Sequence, residues 1–254
     1  MPDTSAEKTL DPKTKRLNRT SIDNVLNPFD EYAIEEALRL RESIGGNTTV
    51  TILTMAPQSG TDIVRKALGM GADNAAMVSD DTIGGTDTMG TAYLLALALK
   101  HIGFDLVLSG TQSTDAINSV VPAAIAENLG IPALTYAKKL SVKDGAVEIR
   151  RETETGYWRV TSQLPALVSV TKSINEPRYP TLKGIMGAKK KEITMLTLAA
   201  IGADTARVGD GGAKTQVDAF ATVGARARGE VIATSDPHEG AKKILDFLIS
   251  KKLI

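Results

Sequence analysis

Between Asn27 and Gly130, short runs of β-branched and apolar residues alternate with longer stretches whose apolar positions recur at helical spacing. This is the pattern of a parallel sheet covered by helices. It predicts strands over 49–55, 75–78 and 106–109, and helices over 32–42, 62–68, 88–100 and 120–129. The first helix carries its own start signals. Asn27 is a candidate N-cap, Pro28 stands where a missing N–H costs nothing, and Asp30 and Glu31 fall in the positive first turn. Ala33, Ile34, Ala37 and Leu38 make its apolar face, with Glu35 four residues before Arg39.

After Ile131-Pro132 the pattern becomes strands only: 133–142, an Asp144-Gly145 turn, 147–153 and 157–163. These predict an antiparallel insert. One more apolar strand, 166–170, leads to Asn175-Glu176-Pro177-Arg178-Tyr179, whose proline ends regular pairing and opens a loop. Residues 203–233 are rich in glycine, alanine and polar side chains without periodicity, and are expected to form an extended arm packed on a partner. Asp236-Pro237-His238-Glu239 then has capping-box spacing before a closing helix with Ile244, Leu245 and Leu248 on one face.

Composition narrows the classes. The 254 residues include 30 basic and 30 acidic side chains, so no global attraction to nucleic acid or membrane is implied. The absence of cysteine excludes disulfides, thiolate metal sites and a cysteine nucleophile, and points to a reducing cytoplasm. No apolar run approaches the roughly 20 residues that span a bilayer. The polar start Met1-Pro2-Asp3-Thr4-Ser5 lacks a secretory apolar stretch.

Catalytic machinery is not visible. His101 and His238 each stand beside a helix end without metal-ligating neighbours, and no Gly-x-Ser-x-Gly, Walker or His-Glu-x-x-His sequence occurs. Three segments remain as site candidates. The first is Leu106 to Asp115, a strand that ends in glycine and re-enters a helix through small polar residues. Free N–H groups and a positive dipole end there would suit a phosphate, or the segment is an ordinary connecting loop. The second is Gly84-Gly85-Thr86-Asp87-Thr88, most simply a turn and helix cap. The third is 179–191, where Leu182, Ile185 and Met186 sit among proline, glycine and lysine. They either tuck into the domain or form an apolar docking anchor with a charged rim.

Four segments, in order, resemble the beta subunits of electron transfer flavoproteins. They are Asn27-Pro28-Phe29-Asp30-Glu31-Tyr32-Ala33-Ile34-Glu35-Glu36-Ala37, then Lys66-Ala67-Leu68-Gly69-Met70-Gly71-Ala72-Asp73, then Ser109 to Asp115, and finally Leu164-Pro165-Ala166 through Asn175-Glu176-Pro177-Arg178-Tyr179 to the triple lysine. The resemblance covers residues 2–198. It implies an α/β fold, a Rossmann-like parallel sheet of the adenine nucleotide alpha hydrolase-like type with an antiparallel insert. Residues 1–198 would be the nucleotide-binding domain, and 199–254 a C-terminal arm and helix packing on an alpha subunit.

The same resemblance implies a structural AMP. Its contacts carry over to Asn27, Pro28, Phe29, Asp30 and Met55, and to the run Gly110, Thr111, Gln112, Ser113, Thr114, Asp115, Ala116, Ile117, Asn118, Ser119, Val120 and Val121. Amides near Ser119, Val120 and Val121 would meet the phosphate. The chain departs from the family's Asp-Thr-Gly-Gln or Asp-Thr-Ala-Gln pattern at Ala116-Ile117-Asn118-Ser119-Val120, where side-chain contacts to phosphate are not carried over. The redox FAD would be held mainly by the alpha subunit, with Phe29 at its edge. Glu152 would pair with an arginine of the mobile flavin domain. Leu182, with Ile185 and Met186, would be the anchor for a client dehydrogenase.

The implied role is an electron carrier without catalytic residues of its own, passing electrons from acyl-CoA or similar dehydrogenases to a quinone reductase or another acceptor. Some relatives bind a second FAD in place of AMP and bifurcate electrons. Two readings from other classes fit the residues less well. An ATP-pyrophosphatase-type enzyme would need a Ser-Gly-Gly-x-Asp-Ser loop, which is missing. A stand-alone adenine-nucleotide sensor would have no use for the insert and arm. Finally, relatives lead an apolar strand into a Lys-Gln-Val-Pro-Asp-Thr turn, whereas here Met1 directly precedes Pro2-Asp3-Thr4. A first strand is therefore missing from the expected sheet, and the functional protein is expected to extend about ten residues upstream.

Overall fold

The computed structural model describes all residues except 20, 21, 222, 223, 225–228, 230 and 232. The chain divides into two units, Met1–Asp218 and Ala219–Ile254.

In the first unit, helix α1 (Pro28–Ile44) is followed by β1 (Thr51–Met55), α2 (Thr61–Gly69), β2 (Asn74–Val78), α3 (Thr88–Ile102), β3 (Leu106–Gly110) and α4 (Val121–Leu129). Each element matches an expected one, and the ends shift by a few residues. Next come β4 (Ala133–Lys143), β5 (Ala146–Thr153), β6 (Gly156–Gln163) and β7 (Ala166–Val170). The chain then forms α5 (Leu182–Ala188), β8 (Ile193–Leu196) and the single turn α6 (Gly209–Gly212).

The strands form two sheets. One is wholly parallel, in the order β1-β2-β8; the other runs β3-β7-β4-β5-β6, parallel as far as β4 and antiparallel beyond it. Strand β7 is buried at every position, as a parallel strand covered on both faces must be. β1 and β3 each pair on one edge only among the described residues, and most of their side chains are only half-buried. Asp144 and Gly145 both adopt positive φ, +51° and +74°, and close the β4–β5 hairpin as the Asp-Gly pair predicts.

Helix α1 covers both sheets. Ile34 and Leu38 pack with Leu68, Met70 and Met77, while Ala33 packs with Leu134, Val168 and Val170. Fully burying a leucine such as Leu38 stabilises the fold by roughly 1.5–3 kcal/mol.

Two expectations change. Residues 182–188, expected as a loop, are helical because the Thr181 hydroxyl accepts the Gly184 N–H at 3.0 Å and the glycine packs against the Gly69 carbonyl, where no Cβ fits. The expected arm is not uniformly extended. It begins with a 3-10 turn, Thr205–Arg207, and α6, and its remainder lies partly outside the described residues.

In the second unit, α7 (Pro237–Ser250) is capped by Asp236, which accepts the His238 N–H at 2.9 Å. Glu239 bonds Thr234 Oγ1 and Lys243 instead of completing the box. None of its residues is buried within the described chain, and Ile244, Leu245, Phe247 and Ile249 are about half exposed. An isolated helix of this length is marginal in water. No helix among the described residues is long and apolar enough to cross a membrane.

Candidate functional site

The start of α1 and the loop after β3 meet at the carboxyl ends of the parallel strands, where open α/β sheets place their ligands. Asp30 Oδ1 accepts the Gly110 N–H at 2.8 Å. Asn27 Nδ2 donates to Asp30 Oδ2 and to the Gln112 carbonyl, both at 2.9 Å. The carboxamide is thereby spent across the loop, so Asn27 does not cap α1 as expected. Burial pushes the Asp30 carboxyl above the usual range, against the opposing pull of these two bonds. Gly110 must be glycine: a Cβ would come within 2.6 Å of the Phe29 carbonyl carbon and 2.8 Å of Asp30 Oδ1.

Beyond Gly110 the loop is held by bonds within itself and by one to Thr88 at the start of α3. The Ile117 N–H reaches the Ser113 carbonyl at 3.0 Å, Ser119 Oγ bonds Gln112 Oε1 at 2.8 Å, and Asn118 Nδ2 bonds Thr88 Oγ1 at 2.9 Å. Ile117 and Ser119 both adopt left-handed backbone, φ +53° and +54°. For the β-branched Ile117 this conformation costs about 1–3 kcal/mol. Asp115 is paired with Arg19 at 2.7 Å; burial pushes its carboxyl up, but Arg19 and neighbouring donors outweigh that and hold it below the usual value. No side chain caps α4, although the Val120 N–H, one of the expected phosphate contacts, is taken by Asn118 Oδ1 at 3.1 Å. Met55 ends β1 at the same end of the fold.

These residues fit an adenine nucleotide. Asn27 Oδ1 is buried and has no partner among the described residues, an acceptor that an exocyclic amino group would satisfy. The loop enters an uncapped helix N-terminus suited to phosphate.

Phe29 faces a neighbouring groove of about 450 Å³, which it lines with Thr111, Tyr136, Lys138, Arg151, Glu152, Thr171, Lys172 and Ser173. Three expected positions from distant segments, Phe29, Thr111 and Glu152, therefore share one cavity. Glu152 is half exposed and paired with Lys138. No sequence signal marks Tyr136, Arg151 or Lys172, because it is strand register and packing that bring them to the groove.

The 179–191 segment, expected as a docking anchor, does not line this groove. Leu182 is 76% exposed and Tyr179 92%, with Ile185 and Met186 about half exposed. Arg178 ties its base to α1. Its Nε donates to Glu35 Oε2 at 2.7 Å, and its remaining nitrogens reach Glu35 Oε1 and Glu42. Asn175 Nδ2 adds bonds to the Tyr32 carbonyl and Glu36. Burial pushes Glu35 up, but Arg178 and Arg39 outweigh it and hold the carboxyl below its usual range.

The Gly84–Thr88 segment is structural. Asp87 caps α3 through the Gly90 N–H and receives the Lys214 and Thr215 N–H groups. It borders a cavity of about 710 Å³ with Lys13, Lys15 and Arg16. His101 and His238 are both exposed.

The profile of the electron transfer flavoprotein domain matches residues 14–201. The chain is 43% identical over 258 residues to the electron transfer flavoprotein subunit beta of Mycobacterium bovis, covering 100% of this chain and 96% of that one. It is 38% identical to the subunit of the same name from Megasphaera elsdenii, covering 100% and 97%. It is also 35% identical to the caffeyl-CoA reductase-Etf complex subunit CarD of Acetobacterium woodii, covering 100% and 97%. The chain therefore belongs to the electron transfer flavoprotein family, among its beta-type subunits.

Proposed function

We propose that this subunit is the platform of a two-subunit electron carrier. It holds AMP in the Asn27–Asp30 and Gly110–Val121 site, receives the edge of a partner-held FAD at the Phe29 groove, and docks client dehydrogenases through Leu182. The observation that carries this reading is the meeting of Phe29, Thr111 and Glu152 on one groove beside the orphaned Asn27 Oδ1. FAD, when bound, supplies the electron-accepting and electron-donating chemistry.

This chain's own residues supply position. Asn27 and the start of α4, which no cap side chain closes, bind the nucleotide. Glu152, released from Lys138, would pair with a cation of the partner. Such a half-exposed pair is worth at most about 1 kcal/mol and exchanges readily. The exposed apolar face of α7 would be covered by the alpha subunit. Leu182 and its neighbours offer a client the compact apolar anchor with a charged rim that concentrates binding energy. Clients of the acyl-CoA dehydrogenase type and a quinone reductase as acceptor fit this role, as does a cytoplasmic setting.

A second reading has a specific basis, the similarity to CarD of a caffeyl-CoA reductase complex. In it the nucleotide site would take a second FAD, and the carrier would bifurcate electrons. Purifying the heterodimer and counting nucleotides after denaturation separates the two. One FAD and one AMP support the simple carrier. Two FAD without AMP overturn it in favour of the second reading, and no flavin overturns both.

A further inference from the structure

The Phe29 groove has a second aromatic wall, and the strands hold it in a strained conformation. Tyr136 has φ +62°, in the left-handed region that bulky side chains rarely adopt. Three features impose this. Strand β4 advances from Leu134 to Ala137 while β7 advances only from Val168 to Val170, so β4 carries an extra residue. On its other edge β4 advances from Ala137 to Lys139 while β5 moves only from Arg151 to Arg150. The bulge is then clasped from both sides. Ser169, the polar residue of the otherwise apolar and buried β7, accepts the Tyr136 N–H on its hydroxyl at 3.1 Å in place of a ladder carbonyl. Arg151 donates from Nε to the Thr135 carbonyl at 2.7 Å and from Nη2 to Thr135 Oγ1 at 3.1 Å.

Bulges beside functional sites re-aim a side chain, and strain that dedicated partners maintain points to use. Here the side chain so aimed is a ring, 45% exposed, lining the groove with Phe29. Lys172 also lines it and makes no ion pair among the described residues, which leaves the groove net positive.

We propose that Tyr136 is a positioning residue for the partner's flavin, forming with Phe29 the two aromatic walls against which the flavin edge docks. The proposal rests on the carrier reading above. Two aromatic walls favour a flat conjugated ring through offset or edge-on stacking. The positive margin favours a ring that becomes electron-rich on reduction. A phenol differs from the phenyl of Phe29 in being an electron donor that quenches an excited flavin on contact, and this provides a direct readout.

The test uses the heterodimer loaded with FAD, time-resolved flavin fluorescence, and quenching by iodide. In the native protein a short-lived fluorescence component reports the stacked flavin. Tyr136→Phe removes the donor and keeps the wall, so the short component should disappear while iodide access stays unchanged. Tyr136→Gly removes the wall, so the short component should disappear and the iodide quenching constant should rise about three- to tenfold, the factor an aromatic contact is worth. Glycine also relieves the strained φ, so a purely structural role would instead leave both flavin signals native and the protein no less stable. That result, with one FAD per heterodimer, overturns the proposal. A heterodimer without FAD overturns the carrier reading and the proposal together.

Discussion

The substitution Arg178→Gln isolates how the 179–191 segment is held. Glu35 buries its carboxylate to 3% exposure on α1, and Arg178 reaches it through two side-chain nitrogens. Removing one partner of a buried ion pair typically costs about 3–5 kcal/mol, because the stranded charge stays desolvated. Here Arg39 remains at 2.8 Å, and Arg178 itself is 35% exposed and screened by solvent. The expected loss is therefore about 2 kcal/mol. For a unit of this size that is about 4–8 °C in melting temperature, measured by circular dichroism at neutral pH. The double variant Glu35→Gln with Arg178→Gln removes the stranded charge as well, and should lose less than the sum of the two single variants. pH gives an independent check. The carboxyl of Glu35 lies below its ordinary value of 4.5 in the folded state, so its contribution is fully present above that value. It is lost as pH falls through the depressed folded value, and Arg178→Gln should flatten this acid limb. A melting shift under about 1 °C, or strict additivity in the double variant, would refute the reasoning.

Gly110→Ala should displace 27–30, because its Cβ would sit 2.7 Å from Phe29 Cβ; a loss of about 1–3 kcal/mol in urea denaturation, with loss of bound nucleotide, is expected. Asn27→Ala should weaken AMP binding by about tenfold in isothermal titration, and unchanged affinity would remove Asn27 from the site. Leu182→Ala should leave stability within about 0.5 kcal/mol, since the side chain is 76% exposed. It should also slow electron transfer from a sub-saturating client dehydrogenase in stopped-flow, with flavin content unchanged.

Sequence alone was sufficient wherever the cause is local. Pro28, Asp30 and Glu31 start α1, the Asp144-Gly145 pair closes its hairpin, and apolar periodicity marks which strands are parallel and buried. These follow from φ/ψ preferences, the helix dipole and a repeat length, all readable within a few residues. Family resemblance added which segments are expected to share one site.

Tertiary structure decided what depends on partners far apart in the chain. Asn27 reads as a helix cap, yet its carboxamide spans to Gln112, and no local rule could weigh those two uses against each other. Arg178 lies 143 residues from Glu35, so only the packed fold turns it into the tie that holds the base of the 179–191 segment on α1. The register of β4 against β7 and β5 creates the bulge that aims Tyr136, because an extra residue in a ladder is defined only by the strands on either side.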